Sequence, residues 1–188
     1  MRAVKYLMCV LMTALLLTGC AKRELEDRSF PSVLAITTAE VEKEQNLKQE
    51  ESSQYIDYGH VKAVILSEEI AGNGESLKEV LLYLEDRPVF ARSILIFAGD
   101  EQVLKAAETD SEQMGAYLEK LYKNQPKGSS FKGTALKEML NYLHNLKESI
   151  DIPYLIWSDG KALPQDSLTI RQSVAPTMNS PVPRRINE

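Results

Sequence analysis

The side chains that could do acid–base or metal chemistry are few and scattered in this sequence. The 188 residues include two histidines, His60 and His144, far apart along the chain. Two histidines without a free cysteine beside them do not supply the usual ligand set of a zinc site. The carboxylate pairs Glu26-Asp27 and Glu68-Glu69 are adjacent in sequence, and adjacent residues do not face each other on a helix. Neither pair predicts a general acid and base, and both histidines are interpreted as surface or packing residues.

Glycine and serine provide no catalytic motif either. Gly72-Asn73-Gly74 lacks the Lys-Ser/Thr of a phosphate loop and the third glycine of a dinucleotide fingerprint, so it predicts a turn before a helix. Ser29 and Ser67 lack the flanking glycines of a Gly-x-Ser-x-Gly elbow. We therefore expect a protein that is not an enzyme and that uses no cofactor and no metal. A secreted hydrolase with either serine as nucleophile is an alternative, and it predicts labelling by a fluorophosphonate probe.

One cysteine stands in a pattern with a definite chemistry. After Arg2 and Lys5, an apolar run leads to Leu17-Thr18-Gly19-Cys20. The run has roughly a dozen residues, whereas a membrane-spanning helix needs about 20, so residues 1–19 are typical of a signal peptide. The last four residues resemble the lipobox of bacterial lipoproteins, which implies cleavage before Cys20 and a diacylglyceryl thioether on its sulfur. The alternative is an ordinary signal peptide with a chance cysteine.

Such processing limits how the mature chain is stabilised and anchored. Cys9 would be removed, and acylated Cys20 could form no disulfide. Loss of Arg2 and Lys5 leaves 20 basic residues against 27 acidic ones, a formal net charge of −7. An acidic chain offers no basic face to nucleic acid and is not attracted to anionic lipid. The diacylglyceryl group and palmitate must therefore provide the anchor, and we expect the protein on the outer face of a Gram-positive cytoplasmic membrane.

Hydrophobic patterning predicts a single globular domain over residues 30–168. Three short apolar runs predict buried strands, at residues 30–36, 60–67 and 93–98. An apolar stripe at helical spacing lies between the last two runs, formed by Leu77, Val80, Leu81 and Leu84. Pro88 requires this helix to end by Arg87. Since strands joined through a helix usually pair in parallel, we predict an α/β (α+β) fold with a small mixed sheet of about three to five strands.

The second half of the chain is predicted to be mainly helical. Apolar stripes indicate one helix around Met114 to Leu121 and a second from Leu136 to Leu146, capped by Thr134. The two are separated by a loop at Pro126–Ser130, and residues 152–157 predict a last short strand.

Two further segments carry little apolar character. The polar stretch near residues 40–55 has few core-forming side chains, and it is interpreted as a mobile connection or a solvated hairpin tip. Residues 169–188 contain three prolines and predict a disordered tail.

Several segments follow one another in an informative order. The first two are the lipobox and the charged run Arg23-Glu24-Leu25-Glu26-Asp27-Arg28-Ser29-Phe30. The strand His60–Leu66 follows, and it continues into Ser67-Glu68-Glu69-Ile70-Ala71. The last are the segment Leu82–Ser93 before the strand Ile94–Ala98, Gly99-Asp100 with the helix after it, and Tyr117–Leu121. Together they resemble the spore germination C-subunit lipoproteins, the Ger(x)C family, over roughly residues 15 to 157. Members of this family continue into further domains, so the chain resembles their N-terminal domain alone.

The resemblance implies a lipid-anchored, non-enzymatic subunit of a nutrient germinant receptor in the spore inner membrane. It implies two membrane partners, the receptor's A subunit and its transporter-like B subunit. The charged spacer of residues 20–29 would lie beside the bilayer. Its side chains Glu24, Glu26, Asp27 and Arg28 are therefore candidate partner contacts, with a merely solvated spacer as the alternative.

The sequence departs from the family pattern near the anchor. Ala21-Lys22 stands where the family often has Trp-Asp, and Ile36-Thr37-Thr38 stands where Gly-Ile-Asp usually closes the first strand. The alternative function is a small extracytoplasmic ligand-binding or interaction lipoprotein unrelated to sporulation. Transport lipoproteins usually enclose their ligand between two lobes, and about 150 ordered residues leave little room for a second lobe.

Overall fold

The computed structural model describes residues 27–125, 133–145 and 147–171. Strands and helices are mixed throughout these ranges, so the predicted α/β class is confirmed. The strands are β1 (Arg28–Ser29), β2 (Val33–Ile36), β3 (Tyr55–Ile56), β4 (Ala63–Ser67), β5 (Leu95–Gly99), β6 (Thr134–Ala135), β7 (Ser149–Ser158) and β8 (Lys161–Arg171). The helices are α1 (Val41–Glu51), α2 (Glu68–Gly72), α3 (Gly74–Asp86), α4 (Glu101–Thr109), α5 (Ser111–Lys123) and α6 (Leu136–His144).

Six of the strands form one mixed sheet. Its order is β2-β4-β5-β7-β8, and the two-residue strand β6 also pairs with β5. Strands β2, β4, β5 and β7 run parallel, whereas β6 and β8 are antiparallel to their neighbours. Strands β1 and β3 form a separate parallel pair. The sheet is thus larger than the predicted three to five strands, because β6 and β8 give no strand pattern in the sequence.

Both faces of the sheet are buried under helices. One face packs against α2, α3 and α6 through Leu34, Ile36, Val64, Leu66, Ile96, Ala98 and Ile152. The other face packs against α4 and α5 through Val33, Ala35, Ala63, Ile65, Leu95, Phe97 and Leu155. Because successive strand residues point to opposite faces, burial of both faces requires continuous apolar runs. This is the pattern from which the central strands were predicted.

The predicted strand–helix–strand unit is confirmed. Strands β4 and β5 are parallel neighbours, and α3 between them ends at Asp86, before Pro88. The Gly72-Asn73-Gly74 turn separates α2 from α3, and Asn73 Oδ1 accepts the N–H groups of Glu75 and Ser76 at 3.0 and 3.1 Å. This cap satisfies two amides that otherwise have no partner in the first turn of α3.

The polar stretch near residues 40–55 forms a helix, and the prediction of a mobile connection or hairpin tip was wrong. Helix α1 buries only Val41 and has no apolar stripe. Its residues are mostly Glu, Gln and Lys, which favour helix, and Glu44 pairs with Lys48 one turn later at 2.7 Å. Lys48 also pairs with Glu108 of α4 at 2.9 Å. Hydrophobic periodicity missed α1 because most of its contacts with its neighbours are polar.

The second half of the chain contains more strand than was predicted. Strand β7 is longer than residues 152–157, and it forms an antiparallel hairpin with β8. Asp159 and Gly160 connect the two strands with φ angles of 50° and 74°, as a two-residue Asp-Gly hairpin turn requires. The sequence pattern of β8 is obscured by a register shift opposite Tyr154 and Leu155.

The end of β8 corrects the predicted tail as well. Residues 169–171 belong to a strand paired with the start of β7, and they are not part of a disordered segment. Residues 172–188 lie outside the described residues, as do Leu146 and the predicted loop at Pro126–Ser130.

The predicted cap of α6 was also wrong. Thr134 lies in β6, and its hydroxyl donates to the Asp151 carbonyl at 2.7 Å. The first turn of α6 is instead closed by Glu138, whose carboxylate accepts the N–H of Ala135 at 2.8 Å. A threonine near a helix start favours a cap, but here the neighbouring strand takes its hydroxyl.

Helix α1 can be tested at Asn46, an exposed residue in its middle. Asn46→Pro removes a backbone hydrogen bond and introduces a ring clash, so we expect a loss of about 3 kcal/mol or more in the free energy of unfolding. Asn46→Ala is the matched control and should change stability by less than about 0.5 kcal/mol. Urea unfolding of each variant measures both. Equal stability of the two variants would contradict a helix at this position.

Candidate interaction surface at the amino ends of the strands

The chain enters the fold at the edge where the parallel strands begin, here called the amino edge. Asp27 is exposed, and β1 follows it at once. Arg28 pairs in register with Tyr55, and Ser29 with Ile56. Three of the predicted site residues, Cys20, Glu24 and Glu26, lie outside the described residues. The structure therefore places two of the five, Asp27 and Arg28, side by side at this edge.

Arg28 binds within its own domain. Its Nη1 lies 3.1 Å from Asp57 Oδ2, with side-chain exposures of 34% and 26% for the two residues. Its guanidinium carbon lies 5.8 Å from the centroid of the Tyr55 ring, a distance suited to a cation–π contact. Arg28 thus fastens the incoming chain to β3, whereas Asp27 is exposed.

Strand β3 is held in turn by α1. Gln49 Oε1 accepts the Ile56 N–H at 2.9 Å, and its Nε2 donates to the Gln54 carbonyl at 3.0 Å. Sequence reasoning missed Gln49 and Asp57 because neither belongs to a motif, and their partners are brought to them only by the folded chain. The polar helix thereby positions the place where the spacer meets the domain.

The turn before β5 lies beside the same edge. Phe90 N–H donates to the Arg87 carbonyl at 3.1 Å, which closes a turn with Pro88 in its second position. Phe90 is buried and lies 6.3 and 6.2 Å, centroid to centroid, from the rings of Tyr58 and Tyr83. The buried phenylalanine fixes the turn.

Helix α5 crosses the amino ends of β2 and β4. Ser111 Oγ accepts the N–H groups of Ser32 and Val33 at 2.8 and 3.2 Å. Farther along, Glu119 pairs with Lys62 at 2.9 Å and with Lys123 at 2.6 Å. Hydrogen bonds from Lys123 and Lys62 to this carboxylate lower the pKa of Glu119 to about 2. The carboxylate is therefore ionised at neutral pH.

A cavity of about 560 Å³ lies between the amino edge, α1 and the α4–α5 turn. Phe30, Ile56 and Tyr58 contribute apolar surface, and Lys48 and Glu108 form its charged wall. Burial disfavours the charge of Lys48, but hydrogen bonds to Glu44 and Glu108 outweigh it and raise the pKa of the ammonium group. A lysine held in this form is a charged pairing partner, and it is not a nucleophile at neutral pH.

The other residues considered for chemistry are dispersed over the described part of the chain. His60 is exposed and packs edge-on against Phe30 at 4.8 Å, while His144 lies 2.7 Å from Glu85. Ser67 Oγ accepts the Ile70 N–H at 3.2 Å and caps α2. Within the described ranges, no three or more His, Cys, Asp or Glu residues are arranged to hold a metal ion. In the same ranges, no helix is both long and apolar enough to cross a membrane.

The fold is that of a mixed α/β domain with a buried apolar cluster on each face of its sheet and a polar edge where the chain enters. A family model described as the spore germination protein N-terminal domain matches residues 44–156, more than half of the chain. The chain therefore belongs to this family, as the order of its segments predicted. The match runs from α1 into β7, and so it includes most of α1, the helix that hydrophobic periodicity did not predict. Searches of curated proteins and of solved structures gave no match.

The Arg28–Asp57 pair can be tested with a double-mutant cycle. Arg28→Ala, Asp57→Ala and the double variant should show a coupling of about 0.5 to 1 kcal/mol in the free energy of unfolding, since the pair is partly exposed. Urea unfolding at two salt concentrations measures the coupling, which should fall at higher salt. Strictly additive single-variant losses would contradict a specific contact between the two side chains.

Proposed function

We propose that this protein is a lipid-anchored, non-enzymatic subunit of a spore nutrient germinant receptor. The observation that carries the proposal is membership of the spore germination family across residues 44–156. The proposed partners are the receptor's A and B membrane subunits. The proposed location is the outer face of the cytoplasmic membrane, which becomes the inner membrane of the spore.

The anchor proposal joins the lipobox to the place where the chain enters the fold. Residues 20–26 separate the proposed lipid on Cys20 from Asp27. Even fully extended, seven residues span only about 25 Å. A domain tied so closely to its lipid presents its amino edge to whatever lies at the membrane surface.

The spacer is the proposed contact with the membrane subunits. Glu24, Glu26 and Asp27 follow the proposed lipid within seven residues and so lie where a membrane partner can reach them. Arg28 has a second task, because it also pairs with Asp57 at 3.1 Å. Charge reversal at Arg28 would therefore disturb folding and binding together, and Asp27 is the cleaner site at which to test the contact.

The anchor is tested by comparing two cysteines. Cys20→Ala should prevent lipidation and cleavage at the lipobox, so the lipid-modified N-terminal peptide should disappear from mass spectra of the membrane fraction. Cys9→Ala is the matched control, because Cys9 lies in the segment proposed to be removed. Normal lipidated protein from the Cys20→Ala gene would contradict the anchor.

The partner contact is tested by affinity recovery from solubilised spore membranes. The tagged wild-type chain should recover the A and B subunits, and Asp27→Lys should lower that recovery several-fold through repulsion or loss of an ion pair. Glu79→Lys, at an exposed position of α3, is the control and should have no effect. Equal recovery with Asp27→Lys would refute the contact, and failure of the wild-type chain to recover either subunit would refute the receptor proposal.

A further inference from the structure

Both ends of the described domain lie at the amino edge. The chain enters through Asp27 and β1 beside the start of β2. At the other end, Arg171 of β8 pairs with Ser149, the first residue of the parallel strand β7. The described domain therefore begins and ends at this edge.

An exposed aliphatic side chain lies at the same edge. Val89 lies at the tip of the turn closed by Phe90 and Arg87, and it is 42% exposed while its neighbour Phe90 is 4% exposed. Val89 Cγ2 lies near Gly59, since a methyl group added to this glycine would be 3.8 Å from it, so the turn lies beside the segment that leads into β4. The fold thus holds an apolar side chain outward at a fixed place.

A tyrosine completes this apolar surface. Tyr55 of β3 is 42% exposed, and its strand is fixed by Gln49 through the Ile56 N–H. The two positions are linked by Asp57, which accepts the Gly59 N–H at 2.9 Å and pairs with Arg28 over the Tyr55 ring. Tyrosine and arginine are residues that favour the boundary between lipid and water.

Three basic side chains along this edge are paired with carboxylates. Arg28 pairs with Asp57 at 3.1 Å, Lys62 with Glu119 at 2.9 Å and Arg92 with Glu85 at 3.5 Å. Paired charges neither attract nor repel an anionic bilayer strongly. Contact with lipid headgroups would then depend on the apolar side chains and on the proposed lipid anchor with its short spacer. It would depend only weakly on salt.

The geometry points to the amino edge as a bilayer-facing surface, with Val89 and Tyr55 at the level of the phospholipid headgroups. This inference rests on the proposed lipid anchor, which keeps this edge within about 25 Å of the membrane. A phospholipid surface is favoured as occupant because the tether brings it there permanently. The amino edge would then set the orientation of the domain, with the carboxyl ends of the parallel strands directed away from the membrane.

The test uses tryptophan fluorescence quenched by lipids with brominated acyl chains. The sequence contains a single tryptophan, Trp157, near the end of β7 and thus at the opposite edge of the sheet. In a Trp157→Phe background, Val89→Trp places the probe at the amino edge. Leu163→Trp is the matched control, since Leu163 is 38% exposed near the start of β8, also at the opposite edge. Each lipidated protein is reconstituted into phosphatidylcholine–phosphatidylglycerol vesicles, and thermal unfolding checks that both variants fold.

We expect brominated lipid to reduce the emission of the Val89→Trp protein at least two-fold more than that of the Leu163→Trp protein or of native Trp157. The difference should persist at high salt. Equal quenching at positions 89 and 163 in protein that stays on the vesicles would overturn the orientation and leave the anchor intact. Protein that fails to remain on the vesicles would overturn the anchor, and the bilayer-facing surface with it.

Discussion

Burial of both faces of the parallel strands is the constraint on which the rest of the structure depends. Ile36, Ile65 and Phe97 are fully enclosed, and neither face can be left to water without exposing several such side chains. Helices must therefore pack on both sides, and the chain must return to the amino edge before each parallel strand. The connecting turns collect there, and so do the polar contacts that hold them. A core assembled in this way leaves the edges of the sheet as the places where interactions can vary.

The sequence predicts those parts of the fold whose stability comes from apolar burial. Strands β4 and β5, with helix α3 between them, follow directly from apolar runs and from a stripe at helical spacing. Helix α1 does not, because Lys48 and Glu108 stabilise it across a distance that no local pattern records. Strand β8 was missed for a related reason: pairing with β7 forms it, and the register shift opposite Tyr154 interrupts its alternation. Elements held by long-range polar contacts are those that periodicity cannot predict.

The candidate surface, too, could be predicted from the sequence only in part. Asp27 and Arg28 were predicted to be partner contacts because they lie close to a lipobox in the sequence, which is a local signal. The pairing of Arg28 with Asp57 was not predictable, since it joins residues 29 positions apart through a two-residue strand pair. It also changes the interpretation of the spacer, because Arg28 couples the incoming chain to β3 while Asp27 stays exposed. The proposed receptor subunit would therefore be fastened to its membrane through a short spacer and a rigid first contact. No moving part or catalytic step is needed for that role.

Nutrient-induced germination tests the central claim most directly. Optical density is followed after nutrient addition to spores of the wild type, of a strain lacking the gene and of a strain with Cys20→Ala, with a non-nutrient stimulus as the control for viability. The receptor proposal predicts a selective loss of the nutrient response in both altered strains and a normal response to the other stimulus. Wild-type nutrient germination in both altered strains would contradict a required, lipid-anchored receptor subunit.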